Sequence, residues 1–351
     1  MKRIISFTII ISSLFLFSCG GKEVAIKSTL TPQAAFDSLI TYVEHNGNFI
    51  NSDYAPPMLS AGELYSLLDS NILIIDTRTE NEFADAHIPL SVNIPFEQLL
   101  SYFETKIDPN SFYKIVLVCN SGQTLTYAAA MLWALGYHNV FVLRWGISSW
   151  HRPVAETRWL SRTSNKYSEM LEKSPNPMRP PGEYPGIETQ QKYGNAILRE
   201  RAQKLFAEGY RKVTINADTL FEAGENFYIV NYWSQEYYNK GHIPGAIRYQ
   251  PGVSLTRGEQ LSTLPLDKPI VIYCTSGQLS SYVVGYLRLL GYNAYSLSFG
   301  TNGFMQGVMR DEGIRTVFTE KEILDLPVNT GGVVSPPKEI EVKATQPRGG
   351  C

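Results

Sequence analysis

The sequence is poor in cysteine and histidine, with four of one and five of the other in 351 residues. No pair of either type stands at metal-ligand spacing, so no metal site is expected. No glycine-rich dinucleotide or P-loop phrase follows an apolar run, which removes hydride transfer and nucleotide chemistry and leaves no cofactor to expect. There is no Lys/Arg run, and the formal net charge is −2, so nothing here would track a nucleic-acid backbone. The longest apolar stretch, 4–17, falls short of the roughly 20 residues a spanning helix needs. What is present is 44% hydrophobic and 18% charged residues, the balance of a globular chain, at a length that suits two domains of common size.

Lys2 and Arg3 precede the 4–17 stretch, the order of a secretory signal peptide. It runs into Leu16-Phe17-Ser18-Cys19-Gly20, which resembles a bacterial lipobox, with Phe17 bulkier than that pattern prefers. The expectation is a signal peptide over 1–18, lipid on Cys19, and a cell-envelope lipoprotein. Gly20 and Gly21 lack the aspartate of an inner-membrane retention signal, which favours the outer membrane, facing the periplasm.

The remaining sequence is a duplication. Cys119 lies in IVLVCNSGQT and Cys274 in IVIYCTSGQL, and 274 − 119 = 155 also separates His87 from His242, Pro89 from Pro244, Asp76 from Asn231 and Gly136 from Gly291. A period this long is a repeat of whole domains, since solenoid units run about 20 to 50 residues. The expected order is a tether and N-terminal helix over 19–55, a first domain over 56–160, a Pro-rich linker over 161–188, a connecting helix over 189–211, and a second domain over 212–312. A C-terminal extension over 313–351, disordered from about 329, completes it. Within each domain short apolar runs (72–76, 115–119, 140–143; 228–231, 270–274, 294–297) alternate with helical stretches, which predicts an α/β fold twice over, each a mostly parallel sheet covered on both faces.

Each repeated thiol stands at the carboxyl end of a buried strand, is followed by Ser-Gly-Gln, and leads into a helix. Ligand sites of open α/β sheets lie at that end, and a helix start offers backbone N–H groups without intrahelical partners. The thiols are expected to be free, because they occupy matching places in separate domains, and to ionise readily in the field of those amides. The candidate catalytic residues are Cys119 and Cys274. The candidate binding loops are Asn120, Ser121, Gly122, Gln123 and Thr124 in the first copy and Thr275, Ser276, Gly277, Gln278 and Leu279 in the second.

DTRTENEFADAHIPLSVNIP in the first copy and NYWSQEYYNKGHIPGAI in the second, each followed by a strand, cysteine, loop and helix, resemble the rhodanese family of sulfurtransferases. The resemblance covers both copies. It implies a persulfide relay in which cysteine takes sulfane sulfur from thiosulfate, mercaptopyruvate or a persulfide and passes it to a thiol or cyanide. The copies keep different halves of the family's frame. Copy one has Asp76, Arg78 and Glu82; copy two has Gly241, Gly245 and Ala246 but replaces the charged frame with Asn231, Tyr232 and Trp233. Cys119 therefore ranks above Cys274. Asp76, Arg78, His87 and His242 are supporting residues, with Arg78 expected to pair with a carboxylate such as Glu82 and both histidines read as turn residues bonding backbone. The related phosphatase and arsenate-reductase loops need an arginine six residues past the cysteine, where this chain has Leu125 and Ser280. A non-catalytic binding or redox-sensing module is the alternative.

Overall fold

A computed structural model describes residues 30–331 except 48, 53 and 54. Cys19, the signal stretch and the chain beyond 331 lie outside the described residues.

The first repeat contributes strands β1 (Met58–Leu59), β2 (Ile72–Asp76), β3 (Ser91–Asn93), β4 (Lys114–Val118) and β5 (Val140–Leu143). The second contributes β6 (Thr214–Ile215), β7 (Tyr228–Asn231), β8 (Ile247–Arg248), β9 (Ile270–Tyr273) and β10 (Ala294–Leu297). The sheets run β1-β5-β4-β2-β3 and β6-β10-β9-β7-β8, the same order twice, and every ladder is parallel. The α/β reading holds in both repeats. The central strands are apolar apart from Lys114, Asp76 and Asn231 at their ends, as suits parallel sheets covered by helices on both faces. Each cysteine is the first residue after its central strand, β4 or β9.

Glycines 122 and 277 open the two helices that follow, Gln123–Ala134 and Gln278–Leu289, at φ 83° and 78° with no side-chain cap. Only glycine takes that turn without cost, and the uncapped N–H groups are left facing the loop. The two helices pack against one another across the repeat boundary. A Cβ at Gly285 would come 2.8 Å from both the Ala130 Cβ and the Tyr127 carbonyl, so the close crossing depends on its absence. One apolar cluster runs through this contact, from Leu117, Ala128 and Met131 to Val283, Leu287 and Ala294. The loop glutamines exchange partners there. Gln123 accepts from the Phe299 N–H at 2.8 Å and Gln278 from the Trp145 N–H at 3.2 Å.

The segments that leave each repeat also exchange. After the first repeat the chain crosses to the second, where the Tyr167 N–H donates to Phe304 and Glu172 forms a two-way backbone bridge with His242 (2.8 and 2.9 Å). After the second repeat it returns to the first, where the Leu326 N–H donates to Trp150 and Asn329 bridges His87 (2.8 and 2.9 Å). Asn329 is paired in both directions and the Gly331 N–H donates to Ala84 at 2.7 Å; the rest of the tail expected to be disordered lies outside the described residues. Likewise the early part of 161–188 packs as part of the second repeat rather than as a bare connector. Helices Pro32–His45 and Gly194–Glu208, outside the repeats, pack together, with Gly194 against Ser38 and Tyr42.

Candidate active site

The Cys119 thiol sits at the bottom of its loop, 5% exposed. Its sulfur accepts from the Gly122 N–H at 3.2 Å, and the amides of Ser121 and Leu125 also converge on it. The sequence led us to expect a readily ionised thiol. Burial instead pushes Cys119 up, and the three amides, which pull the other way, do not overcome it; the negative charge of Asp76 adds to the rise. The cradle is built for an anion on sulfur, but the free thiol in this depth keeps its proton.

Asp76 and Arg78 form a buried pair behind the loop. Arg78 donates from Nη2 to Oδ2 at 2.6 Å and from Nε to both carboxylate oxygens at 3.0 Å, with a further bond to the Ala86 carbonyl at 2.6 Å. Burial pushes the Asp76 carboxyl up, against the pull of Arg78. The expected Arg78–Glu82 pair is therefore corrected: the chain turns back after β2 and brings Arg78 onto the carboxylate two residues before it. Glu82 has other work. It closes a capping box with Thr79 and accepts from Asn120 of the loop at 2.8 Å and from Arg158 at 2.7 Å. Partial burial works to raise it, but the hydrogen bonds from Thr79 and Asn120 outweigh that and hold it below its ordinary value.

Above the thiol lies a cavity of about 600 Å³. Cys119, Asn120, Ser121 and Thr124 form its floor, Arg78 and Glu82 one wall, and Pro95, Phe96 and Glu97 another. The far wall is Glu208-Gly209-Tyr210-Arg211-Lys212, the lead-in to the second repeat. Arg211 and Lys212 are exposed cations with no side-chain partner among the described residues. Sequence reasoning missed this wall, because nothing in the local pattern says which surface the docking of two repeats will bring over the loop, and it missed Arg158, which meets Glu82 across 76 residues of the same repeat. Gln123, a candidate loop residue, turns away to the other repeat.

His87 lies outside the cavity lining. Its Nδ1 is 2.8 Å from the Phe83 carbonyl and its ring stacks on Phe83 at 3.9 Å. His242 does the same with Tyr238, at 2.9 and 3.7 Å.

The Cys274 loop is built alike but walled in. The thiol, 2% exposed, belongs to an apolar cluster with Ile229, Trp233, Val271, Tyr273 and Phe304. Trp233 stands where the first repeat has Arg78, and Tyr273 where it has Val118; their rings meet at 6.0 Å and the Tyr273 hydroxyl accepts from the Ile243 N–H. Asn231, at the place of Asp76, is fully buried, and neither side-chain polar atom has a well-formed hydrogen bond among the described residues. The Cys274 sulfur accepts from the Ser280 N–H at 3.3 Å. Thr275 is tied by Asn302, which donates to its carbonyl at 2.7 Å. Ser276 accepts from the Gln278 N–H, and Leu279 packs between the apolar clusters. Both thiols are free.

Fold and loop together define a class, α/β domains that hold a thiol on an amide-lined turn between strand and helix. The chain belongs to the rhodanese family: the family's model, described as "Rhodanese-like domain", matches residues 60–153 and 217–306. Among curated proteins it is 36% identical over 80 residues to a tRNA sulfurtransferase of Desulfurococcus amylolyticus, covering 23% of this chain and 15% of that one. It is 28% identical over 148 residues to an adenylyltransferase and sulfurtransferase of Meyerozyma guilliermondii, covering 40% and 34%. The chain thus spans a small part of the length of these relatives. Among solved structures it resembles a thiosulfate sulfurtransferase of Pseudomonas aeruginosa at 18% identity and TM-score 0.26, covering 86% and 69% of the two chains.

Proposed function

We propose that the protein is a sulfurtransferase that works through Cys119. The observation that carries the reading is the asymmetry of the two loops: the Cys119 cradle opens into a cavity faced by Arg211 and Lys212, two cations without a side-chain partner among the described residues, whereas Cys274 is packed in apolar side chains. Once its proton has left, the Cys119 sulfur attacks the outer sulfur of a donor such as thiosulfate. The donor's S–S bond breaks as the new one forms, and sulfite leaves with the bonding electron pair. The persulfide anion then rests on the amides of Ser121, Gly122 and Leu125. An acceptor thiolate or cyanide takes its outer sulfur and returns Cys119 to thiolate. Thiosulfate, mercaptopyruvate and a small persulfide all fit as donors by size and, for the first two, by charge.

The test is thiocyanate release from thiosulfate, mercaptopyruvate or a persulfide donor with cyanide. Activity is expected in the wild type and in Cys274→Ser and lost in Cys119→Ser; no turnover with any of these donors, or turnover surviving Cys119→Ser, refutes the reading. We further propose lipid attachment at Cys19 and residence at the outer membrane, facing the periplasm, on the lipobox-like 16–20 stretch. Metabolic labelling with a fatty acid should mark the wild type and not Cys19→Ala.

A further inference from the structure

Cys274 is enclosed by apolar side chains on most sides, yet a line of hydroxyls leads away from it. Its sulfur is 3.6 Å from the Ser280 Oγ. Ser280 Oγ is 2.8 Å from Ser296 Oγ, which is 3.1 Å from Ser281 Oγ, which is 2.6 Å from the Tyr210 hydroxyl. The three serines are fully buried. Tyr210 lines the Cys119 cavity. The line therefore starts on one repeated thiol and ends on the buried phenol of a residue that lines the cavity of the other.

The fold does not require these hydroxyls. At the same places the first repeat has Leu125, Thr126 and Val142, and the leucine and valine are as deeply buried as the serines they match. A buried hydroxyl without need of packing is usually kept for its partners. Each hydroxyl here has one proton to give and a lone pair to receive, so a single sense of donation satisfies the chain: Cys274 to Ser280, Ser280 to Ser296, Ser296 to Ser281, Ser281 to Tyr210. Ser281 and Ser280 also lie within bonding distance of the Gly277 carbonyl, at 2.6 and 3.1 Å, which gives each rotor a second place to rest its proton. Meanwhile no side-chain base is bonded to the Cys119 sulfur among the described residues. His87 is turned onto backbone, and Glu82 is engaged by Asn120 and Arg158.

We propose that these hydroxyls are a proton wire that joins Cys274 to the Cys119 cavity, with Tyr210 as the residue that exchanges protons at the cavity end. The proposal rests on sulfur transfer at Cys119. When an acceptor has taken the outer sulfur, Cys119 is left as a buried thiolate. One proton leaves the Cys274 sulfur, each oxygen on the line accepts one and releases one, and one arrives at the Cys119 sulfur. Cys119 ends as thiol, and the Cys274 sulfur, next to the Ser280 N–H, is without its proton only until solvent entering the cavity returns one by the same route. Neither sulfur changes oxidation state. The groups around the phenol that bear on its proton are the two thiols, Tyr127, Glu208, Arg211 and Lys212.

The test follows the S–H stretching band of Cys274 in the mature chain carrying Cys119→Ser, after transfer to heavy water. Exchange to S–D is expected to slow roughly a hundredfold with Tyr210→Phe and equally with Ser296→Ala, the scale of a lost proton-transfer group. This reading does not depend on turnover, so it stands or falls apart from the sulfurtransferase assignment. In the chain with Cys119 intact, Ser296→Ala, which lies outside the cavity lining, should lower kcat and alter its solvent isotope effect with KM for the donor unchanged. Exchange at the parent rate in either variant overturns the wire. An unaltered isotope effect in Ser296→Ala overturns its part in turnover.

Discussion

The Asp76–Arg78 pair lends itself to a quantitative test, because its side chains are 0% and 2% exposed and bonded in a fork. Asp76→Asn keeps an acceptor for the Arg78 backbone N–H, now 3.0 Å from Oδ1, but removes the charge opposite a guanidinium that is almost wholly buried. Arg78 would be left with the Ala86 carbonyl as its remaining strong partner. Breaking one side of a buried pair typically costs about 3–5 kcal/mol, whereas replacing both sides by neutral groups of similar size is often close to neutral. The second repeat already lives with the neutral solution, Asn231 and Trp233. We therefore expect Asp76→Asn to cost about 3–5 kcal/mol and the double variant Asp76→Asn/Arg78→Met to recover about 2 kcal/mol of that, a coupling typical of groups in direct contact. Urea unfolding followed by tryptophan fluorescence, with all four members of the cycle, measures both. A single substitution costing less than about 1 kcal/mol, or a double variant no more stable than Asp76→Asn, would show that the charges are not held as tightly as their geometry implies.

Two further outcomes follow from the packing and the electrostatics. Since burial raises the Cys119 thiol, its alkylation by iodoacetamide in Cys274→Ser should keep rising with pH beyond the range of an exposed cysteine, because the reactive thiolate appears only as the proton leaves; a plateau already at neutral pH would reverse the sign. Gly285→Leu should force apart the crossing of the two cysteine-loop helices, where even a Cβ meets Ala130 at 2.8 Å. It should destabilise by about 1–3 kcal/mol or more and lower activity at Cys119, read from thermal unfolding and thiocyanate release together.

The duplication and both sheets are legible in the sequence because strand, His-Ile-Pro turn and cysteine loop each carry a local pattern, and local patterns repeat in register. The place of the two cysteine loops, between a central strand and a helix, was legible for the same reason. Tyr210, Arg211 and Lys212 were not, since their place in the cavity wall is decided by how two repeats dock; nor was Arg158, which reaches Glu82 from a helix far along the chain. The partner of Arg78 was misjudged because spacing along the chain favours a helical neighbour, whereas the chain turns back after β2 onto Asp76. The thiol's response was misjudged through depth: the amides are where the loop pattern puts them, but the energetic weight of burial is a property of everything packed around Cys119.

The crossing of the outgoing segments has a meaning beyond the packing it supplies. A lone repeat of this design would carry a strap for a neighbour and an open groove of its own, and a second copy of itself would satisfy both, as in a domain-swapped dimer. Joining the two through the Pro-rich stretch makes that exchange intramolecular, so that the pair no longer depends on how much protein is present. It also frees the halves to diverge. Once each is guaranteed its partner, one can keep an open thiol and the other can fill its pocket with tryptophan and tyrosine while still closing the first.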